Sequence, residues 1–388
     1  MDPALVEALA AQRKAHPEQE GMLNEIADFT ERKLYHQLTE ALLQYLKSPP
    51  FAKPSPVVAS ELLEFFNSYI RGFENKFDKV RWVDILAVVC FPQEPSMALD
   101  IIAPFEAGVE KSRDSKYMWQ ALKAEKLTLA GQHSEAHELL DNLGAEIEKA
   151  YEVDARIQSR FRKTQALLWK SMGRPHDFYK SSILYLAYTP LEDIPAEEQP
   201  QLAFEIGAAA LIAPEEFNFG ELLQQDLLAS LTGSKYEWLL EVLQAYGEAK
   251  FEMYDAAIAK HKAAMDQTAE LKNAEATVLR PKMAALALME LAFRKPKKQR
   301  SITFAEIAQH CRVGPKEVEH LVMRAMCEKL ICGKINEVQS LVDVTWVKPR
   351  ILDKARIDLM RERVDALTQQ TGLLLDHLEY LTPELLVS

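Results

Sequence analysis

Two histidines four residues apart, in His133-Ser134-Glu135-Ala136-His137, come nearest in this chain to the spacing of a metal site, because residues i and i+4 share one face of a helix. The segment is not H-E-x-x-H, so no glutamate follows the first histidine to act as a base on zinc-bound water, and His133 falls in the turn ahead of the cap expected at Ser134. The pair therefore reads as exposed histidine. Cys327 and Cys332 straddle a helix-to-strand change at an unusual C-x4-C spacing; together with Cys311 they read as small buried hydrophobes. The chain contains no G-x-S-x-G, no G-x-G-x-x-G and no Walker loop, so hydrolase, dinucleotide and ATPase chemistry lack their nucleophile or phosphate cradle. No catalytic residue, metal or cofactor is assigned.

Without a reacting centre, the elements themselves become informative. The 388 residues suffice for two or three domains, and 48% hydrophobic residues with only 13 glycines suits a helix-rich globular chain. With 46 Lys plus Arg against 58 Asp plus Glu, the net charge of −12 repels polyanions. Four irregularly spaced cysteines form no disulfide framework and suit a reducing compartment, and no apolar run approaches the roughly 20 residues that span a bilayer. Met1-Asp2-Pro3 lacks the basic and apolar regions of a signal peptide, so cytoplasm or nucleus is expected and a membrane is not.

Helices recur in pairs around short turns. Trp119 to Ala130, then Gly131-Gln132-His133, then a run carrying Ala136, Leu139, Leu140 and Leu143 is helix, glycine turn, helix; Ser171-Met172-Gly173-Arg174 repeats it. A third copy is expected where Leu239 to Tyr246 meets Gly247 and a run with Phe251, Tyr254, Ala257 and Ile258. Such degenerate pairs predict a stacked helical-hairpin solenoid of the tetratricopeptide kind, which offers long surfaces to other proteins. Prolines mark breaks at Ser48 to Pro56 and Pro190 to Pro200, and the five cations of Arg294 to Arg300 read as a solvated linker. His16-Pro17, followed by Glu18 and Glu20, is either a helix end or a mobile arm.

Ser301 to Arg350 changes character. A capping box at Thr303 to Glu306 starts a helix that should stop near Cys311, and Gly314-Pro315 opens a second with Val318, Leu321, Val322, Ala325 and Met326 on one stripe. Ile331 to Asn336 and Leu341 to Trp346 then read as strands, with Val342, Val344 and Trp346 on one face and Asn336 to Ser340 as a wing. This is the order of a winged helix. Its second helix sets Lys316, Arg324 and Lys329 against Glu317, Glu319 and Glu328, and the module holds seven Lys or Arg against six Asp or Glu. That balance argues against a nucleic-acid reader, which crowds cations onto the recognition helix. Downstream, Ile357, Met360, Val364, Leu367, Thr371, Leu374, Leu378 and Leu381 advance in steps of three and four, one seam of a long helix that is expected to enter a bundle with other subunits.

Asn218 to Leu223, Trp238-Leu239-Leu240, Tyr246-Gly247, Glu317-Val318-Glu319 and Ile331 to Asn336 together resemble a PCI domain, the module shared by the proteasome lid, the COP9 signalosome and translation initiation factor 3. Across the whole chain the resemblance is to PCI subunits of the 26S proteasome lid. One departure is Ile335-Asn336, where many relatives carry isoleucine followed by aspartate. The resemblance implies a mainly α fold: a helical-repeat solenoid over 1–170, a PCI domain over 171–350 (helical to 300, winged helix from 301), and a bundling helix over 351–388. It also implies a non-enzymatic scaffold in a hetero-oligomer, supporting ubiquitin-dependent degradation beside deubiquitinase and ubiquitin-receptor subunits. The His-x-His pair of the metalloprotease deubiquitinases is absent. The implied contacts are the winged helix, through Lys316, Glu317, Glu319, Ile331, Lys334, Ile335, Val342, Val344, Trp346 and the strand edges at Ile331 to Ile335 and Leu341 to Val347, and the terminal helix, through Ile357, Met360, Val364, Leu367, Leu374, Leu378 and Leu381. Alternative readings are a PCI scaffold of the signalosome or initiation factor 3, or an mRNA-export PCI protein using Arg294 to Arg300 on nucleic acid.

Overall fold

The computed structural model describes residues 3–46, 48, 51, 56–74, 76–109, 112–150, 152–295, 300–349 and 354–381. Most of the Pro-rich stretch from Ser48 to Pro56, and the middle of the Arg294 to Arg300 run, lie outside them. The chain divides into two compact units, Met1–Ile194 and Pro195–Ser388.

Hairpins build the first unit. Arg113–Leu129 returns as His133–Lys149, and Ala155–Ser171 returns as Pro175–Tyr188. Each first helix ends on a left-handed glycine, Gly131 at φ 82° and Gly173 at φ 68°. The backbone N–H groups of Gly131 and Gln132 donate to Thr128 and Leu127, and those of Gly173 and Arg174 to Lys170 and Trp169, so the last carbonyls are satisfied as the chain reverses. The same closure ends Glu20–Glu31 without glycine: Lys33 takes φ 57°, and Lys33 and Leu34 donate to Thr30 and Phe29. Ser134 is not a cap. The helix begins at His133 behind Gln132, because the Schellman closure consumes only two residues and leaves no slack before the return. The core is aromatic, with Trp82 tilted on Phe66 and edge-on to Phe105 at centroid distances of 5.8 and 5.6 Å. Half-buried Glu125 lies 3.2 Å from Arg160 and 3.4 Å from the buried Lys126. Burial alone would raise its carboxyl pKa, but Arg160, Lys126 and Lys163 together hold it below the usual value. His16 precedes a single 3-10 turn, Pro17–Gln19, and its Nε2 sits 2.9 Å from Glu61, so this stretch is a helix junction.

In the second unit Glu237–Glu248 and Phe251–Gln267 form the third expected hairpin, with a different hinge. Gly247 is helical, and a Cβ there would come within 2.6 Å of Leu223; the left-handed residue is Ala249, at φ 56°. Gly247 thus serves close helix packing rather than the turn. Upstream of Arg280–Arg294 the chain widens into a π-turn at Glu275–Leu279, as expected where Pro281 has no N–H to give and its ring crowds the carbonyl four residues back. Arg280–Arg294 is buried on all sides through its middle, without a break from Lys282 to Glu290.

The winged helix grows from the same unit. Thr303 Oγ1 accepts from the Glu306 N–H and the Glu306 carboxylate accepts from the Thr303 N–H, both at 3.2 Å, which starts Phe304–Cys311. Val318–Cys327 follows, burying Val318, Leu321, Val322 and Ala325. The sheet has three strands: β1 (Ser301–Thr303), β2 (Ile331–Asn336) and β3 (Leu341–Val347), all antiparallel, in the order β1-β3-β2. β1 was not read from the sequence, since three residues merge into the helix cap that follows.

Candidate protein-interaction surfaces

Because β3 lies in the middle of the sheet, Leu341, Val342 and Asp343 pair with β1 on one side and β2 on the other. Its expected role as a free edge for augmentation is therefore corrected over Leu341 to Val344: the main-chain groups there are already used, and the Val344 N–H donates to the Arg300 carbonyl at 3.0 Å. β2 borders the sheet, with β3 as its sheet partner. The pairing slips between Cys332 and Gly333, so Cys332 faces Trp346 while Gly333 faces Val344, leaving Thr345 as the extra residue. That bulge overturns the expected alternation. Val342 and Val344 are buried at 0% and 4%, whereas Trp346 is 45% exposed, turned away from them by the inserted residue. Thr345 Oγ1 donates to the Cys332 carbonyl at 3.0 Å and pins the bulge. Gly333 is required here, since a Cβ would stand 2.2 Å from the Asp343 carbonyl oxygen.

Side-chain placement separates the expected winged-helix residues into two sets. Ile331, Val342 and Val344 belong to the module's own core and hold the surface in place. Lys316, Glu317, Lys334 and Trp346 are exposed, and Glu319 and Ile335 half-buried. The cysteine reading is corrected in part: Cys311 is buried, with its thiol pushed up to about 12 by desolvation, but Cys327 and Cys332 are exposed. Cys327 ends its helix on the solvent side, and Cys332 shares the outer sheet face with Trp346.

The terminal helix runs from Lys354 to Leu381, 28 residues, or about 42 Å at 1.5 Å per residue. Along its seam Ile357, Met360, Val364, Leu367, Leu374, Leu378 and Leu381 are between 46% and 62% exposed. Leu373, Leu375 and Tyr380 widen the apolar surface in its second half. Arg363 lies over the Phe293 ring at 5.7 Å. Contiguous exposed apolar area of this kind is uncommon on a protein that stands alone in water.

Other polar groups are engaged locally. His133 Nδ1 is 3.3 Å from Ser171 Oγ, and His137 Nδ1 is 2.8 Å from Asp141 with its ring edge-on to Trp169. Both histidines are half-buried rather than exposed as expected, packed by the adjoining hairpin. No group of three or more potential metal ligands gathers among the described residues. In the second unit a cleft is lined by Lys250, Glu252, Arg294, Glu306, His310 and Arg312. Most of its charges are matched: Arg312 with Asp255, Arg294 with Glu290 at 3.1 Å, Glu306 with Lys295 at 2.7 Å, and Lys250 with Glu248 at 2.6 Å. The His310 imidazole is held below its usual pKa by burial and then by Arg294. In the second unit a buried cation that the sequence did not single out is Lys282, whose Nζ donates to the carbonyls of Ala210 and Ala213, each at 2.7 Å. Its only signal is a lysine placed directly before the apolar run Met283 to Leu288.

A helical array that ends in a winged helix, with an apolar terminal helix beside it, defines a PCI-type assembly protein. The sequence matches the PCI domain over residues 259–346 and the PSD13 N-terminal repeats over residues 22–243. It is 30% identical to the 26S proteasome non-ATPase regulatory subunit 13 of Dictyostelium discoideum over 94% of each chain. It is 29% identical to homolog A of that subunit in Arabidopsis thaliana, over 99% of this chain and 100% of the relative, and 28% identical to the 26S proteasome regulatory subunit RPN9 of Saccharomyces cerevisiae over 90% of each. The chain belongs to the family of the 26S proteasome non-ATPase regulatory subunit 13. No helix among the described residues is long and apolar enough to cross a membrane.

Proposed function

We propose that this protein is a non-catalytic scaffold of the 26S proteasome regulatory particle, placed in its lid. The observation that carries the reading is the exposed seam of Lys354–Leu381, an apolar face too extensive to stand in water in a working assembly. In this reading the winged helix meets other PCI subunits through Lys316, Glu317, Glu319, Lys334, Ile335 and Trp346 and the outer edge of β2. The terminal helix joins a bundle of helices from neighbouring subunits, near the deubiquitinase and ubiquitin-receptor subunits. The working division is a repeat array over 1–170, a PCI domain over 171–350 and a bundling segment over 351–388, acting in cytoplasm and nucleus.

Affinity capture of the tagged chain from cells tests this reading. Proteasome subunits should be recovered with the full chain and lost when residues 351–388 are deleted, while the truncated protein keeps its cooperative unfolding. Recovery of no proteasome subunit with the full chain would sink the assignment, and undiminished recovery with the truncation would sink the role of the helix.

A further inference from the structure

The charges around the terminal seam are sorted. Between Ile357 and Leu381 the positions that flank it are Arg361, Thr368 and Leu375 on one side and Arg363, Gln370 and His377 on the other, none of them acidic. All five carboxylates of that stretch, Asp358, Glu362, Asp365, Asp376 and Glu379, occupy the outer positions instead. In paired helices the flanking positions meet across the interface and choose the partner, while the outer ones stay in water.

Both arginines are available for such a choice. Arg361 has a side chain 69% exposed and touches Asp358 of its own helix only at 3.6 Å. The guanidinium carbon of Arg363 lies 5.7 Å from the centre of the Phe293 ring, an uncharged neighbour that does not neutralise it. Between Ile357 and Leu381 the flanking positions of a second copy offer no carboxylate to either one. Parallel copies set this arginine-bearing half against itself, and antiparallel copies set it against Leu375 and His377. The second half, widened by Leu373, Leu375 and Tyr380, binds by area and discriminates little.

We propose that the first half of the terminal helix selects a helix of another subunit whose own seam is flanked by Asp or Glu, with Arg361 and Arg363 as the selecting residues. This rests on the docking role given to the helix above and adds the chemistry of its partner.

The test uses the full-length chain and two synthetic amphipathic peptides of matching length. They share one Leu/Ile seam, and carry glutamate at every flanking position in one and lysine in the other. Fluorescence anisotropy should show the glutamate peptide binding at least about fivefold more tightly at low salt, with the gap narrowing as salt screens the pairs. In the double variant Arg361→Glu, Arg363→Glu the preference should reverse. Equal binding of the two peptides, or a preference for lysine, overturns the selection while leaving the docking face in place. Failure of both peptides to bind overturns the docking face as well, and a seam-mediated homodimer in sedimentation, abolished by Leu367→Asp, overturns the exclusion of a second copy.

Discussion

Lys282 Nζ lies 2.7 Å from the carbonyl oxygen of Ala213, 69 residues away in sequence, and so closes the buried end of the helix Gln199–Ile212. The same ammonium donates to Ala210 at 2.7 Å and sits 4.9 Å from the Phe219 ring. A helix end inside a protein leaves carbonyls without partners unless something donates to them, and here a side chain does. Lys282→Met keeps the volume and removes the donor, so it should cost about 1–3 kcal/mol, the penalty of orphaned buried carbonyls. Urea unfolding would show it; a midpoint unchanged from wild type would mean that the lysine closes nothing.

The same residue should give stability a pH dependence. Burial lowers the Lys282 pKa from 10.5 to about 7, against the opposing pull of Glu216 and Glu328. Between those values the unfolded chain holds a proton that the folded chain has released, so stability rises with pH through the window, by at most about 1.4 kcal/mol per unit. Below pH 7 both states are protonated and the contribution is at its minimum. Urea midpoints measured from pH 7 to 9 should climb in wild type by more than in Lys282→Met; parallel curves would exclude the linkage.

Left-handed turn residues give a paired prediction. Gly131→Ala places a Cβ at φ 82° and should cost about 1–2 kcal/mol, whereas Lys33→Gly relieves the strain of φ 57° at an exposed site and should gain up to about 1 kcal/mol. Opposite shifts of the thermal midpoint are the expected result. Shifts of the same sign would show that backbone handedness does not govern these turns.

At the bulge, neighbours should behave differently. Val344→Ala removes a core side chain and should cost about 2 kcal/mol, while Trp346→Ala, on the solvent side, should change the isolated chain by under about 0.5 kcal/mol. Gly333→Ala should exceed both, because its Cβ meets backbone that cannot rotate away. A large loss at Trp346 in the free chain would contradict the register of β2 on β3.

Hydrogen exchange should find the terminal helix poorly protected in the isolated protein, since an exposed helix gains little from tertiary packing. In the assembly the amides of Val364 to Leu378 should slow by at least about tenfold, the effect of adding roughly 1.4 kcal/mol to local opening. Equal protection in both states would argue that the seam stays uncovered.

Local rules made much of this chain legible. The turns at Gly131 and Gly173, the capping box at Thr303 and the seam from Ile357 to Leu381 each depend on residues within a turn or two of one another, so their spacing is written in sequence. The hinge at Ala249 was misplaced onto Gly247 because glycine serves both left-handed turns and close helix packing, and only the position of Leu223 distinguishes them. Trp346 was assigned to the buried face because strict alternation assumes an unbroken ladder.

By itself, then, the sequence determined a helical-repeat chain ending in a near-neutral winged helix and a heptad helix, through periodicity, caps and charge. Only the tertiary structure decided that β3 is central, that the bulge at Thr345 turns Trp346 outward, and that Lys282 closes a helix 69 residues away. The reason is range: each of those outcomes is set by a backbone or side chain from a distant segment, whose approach no local pattern encodes.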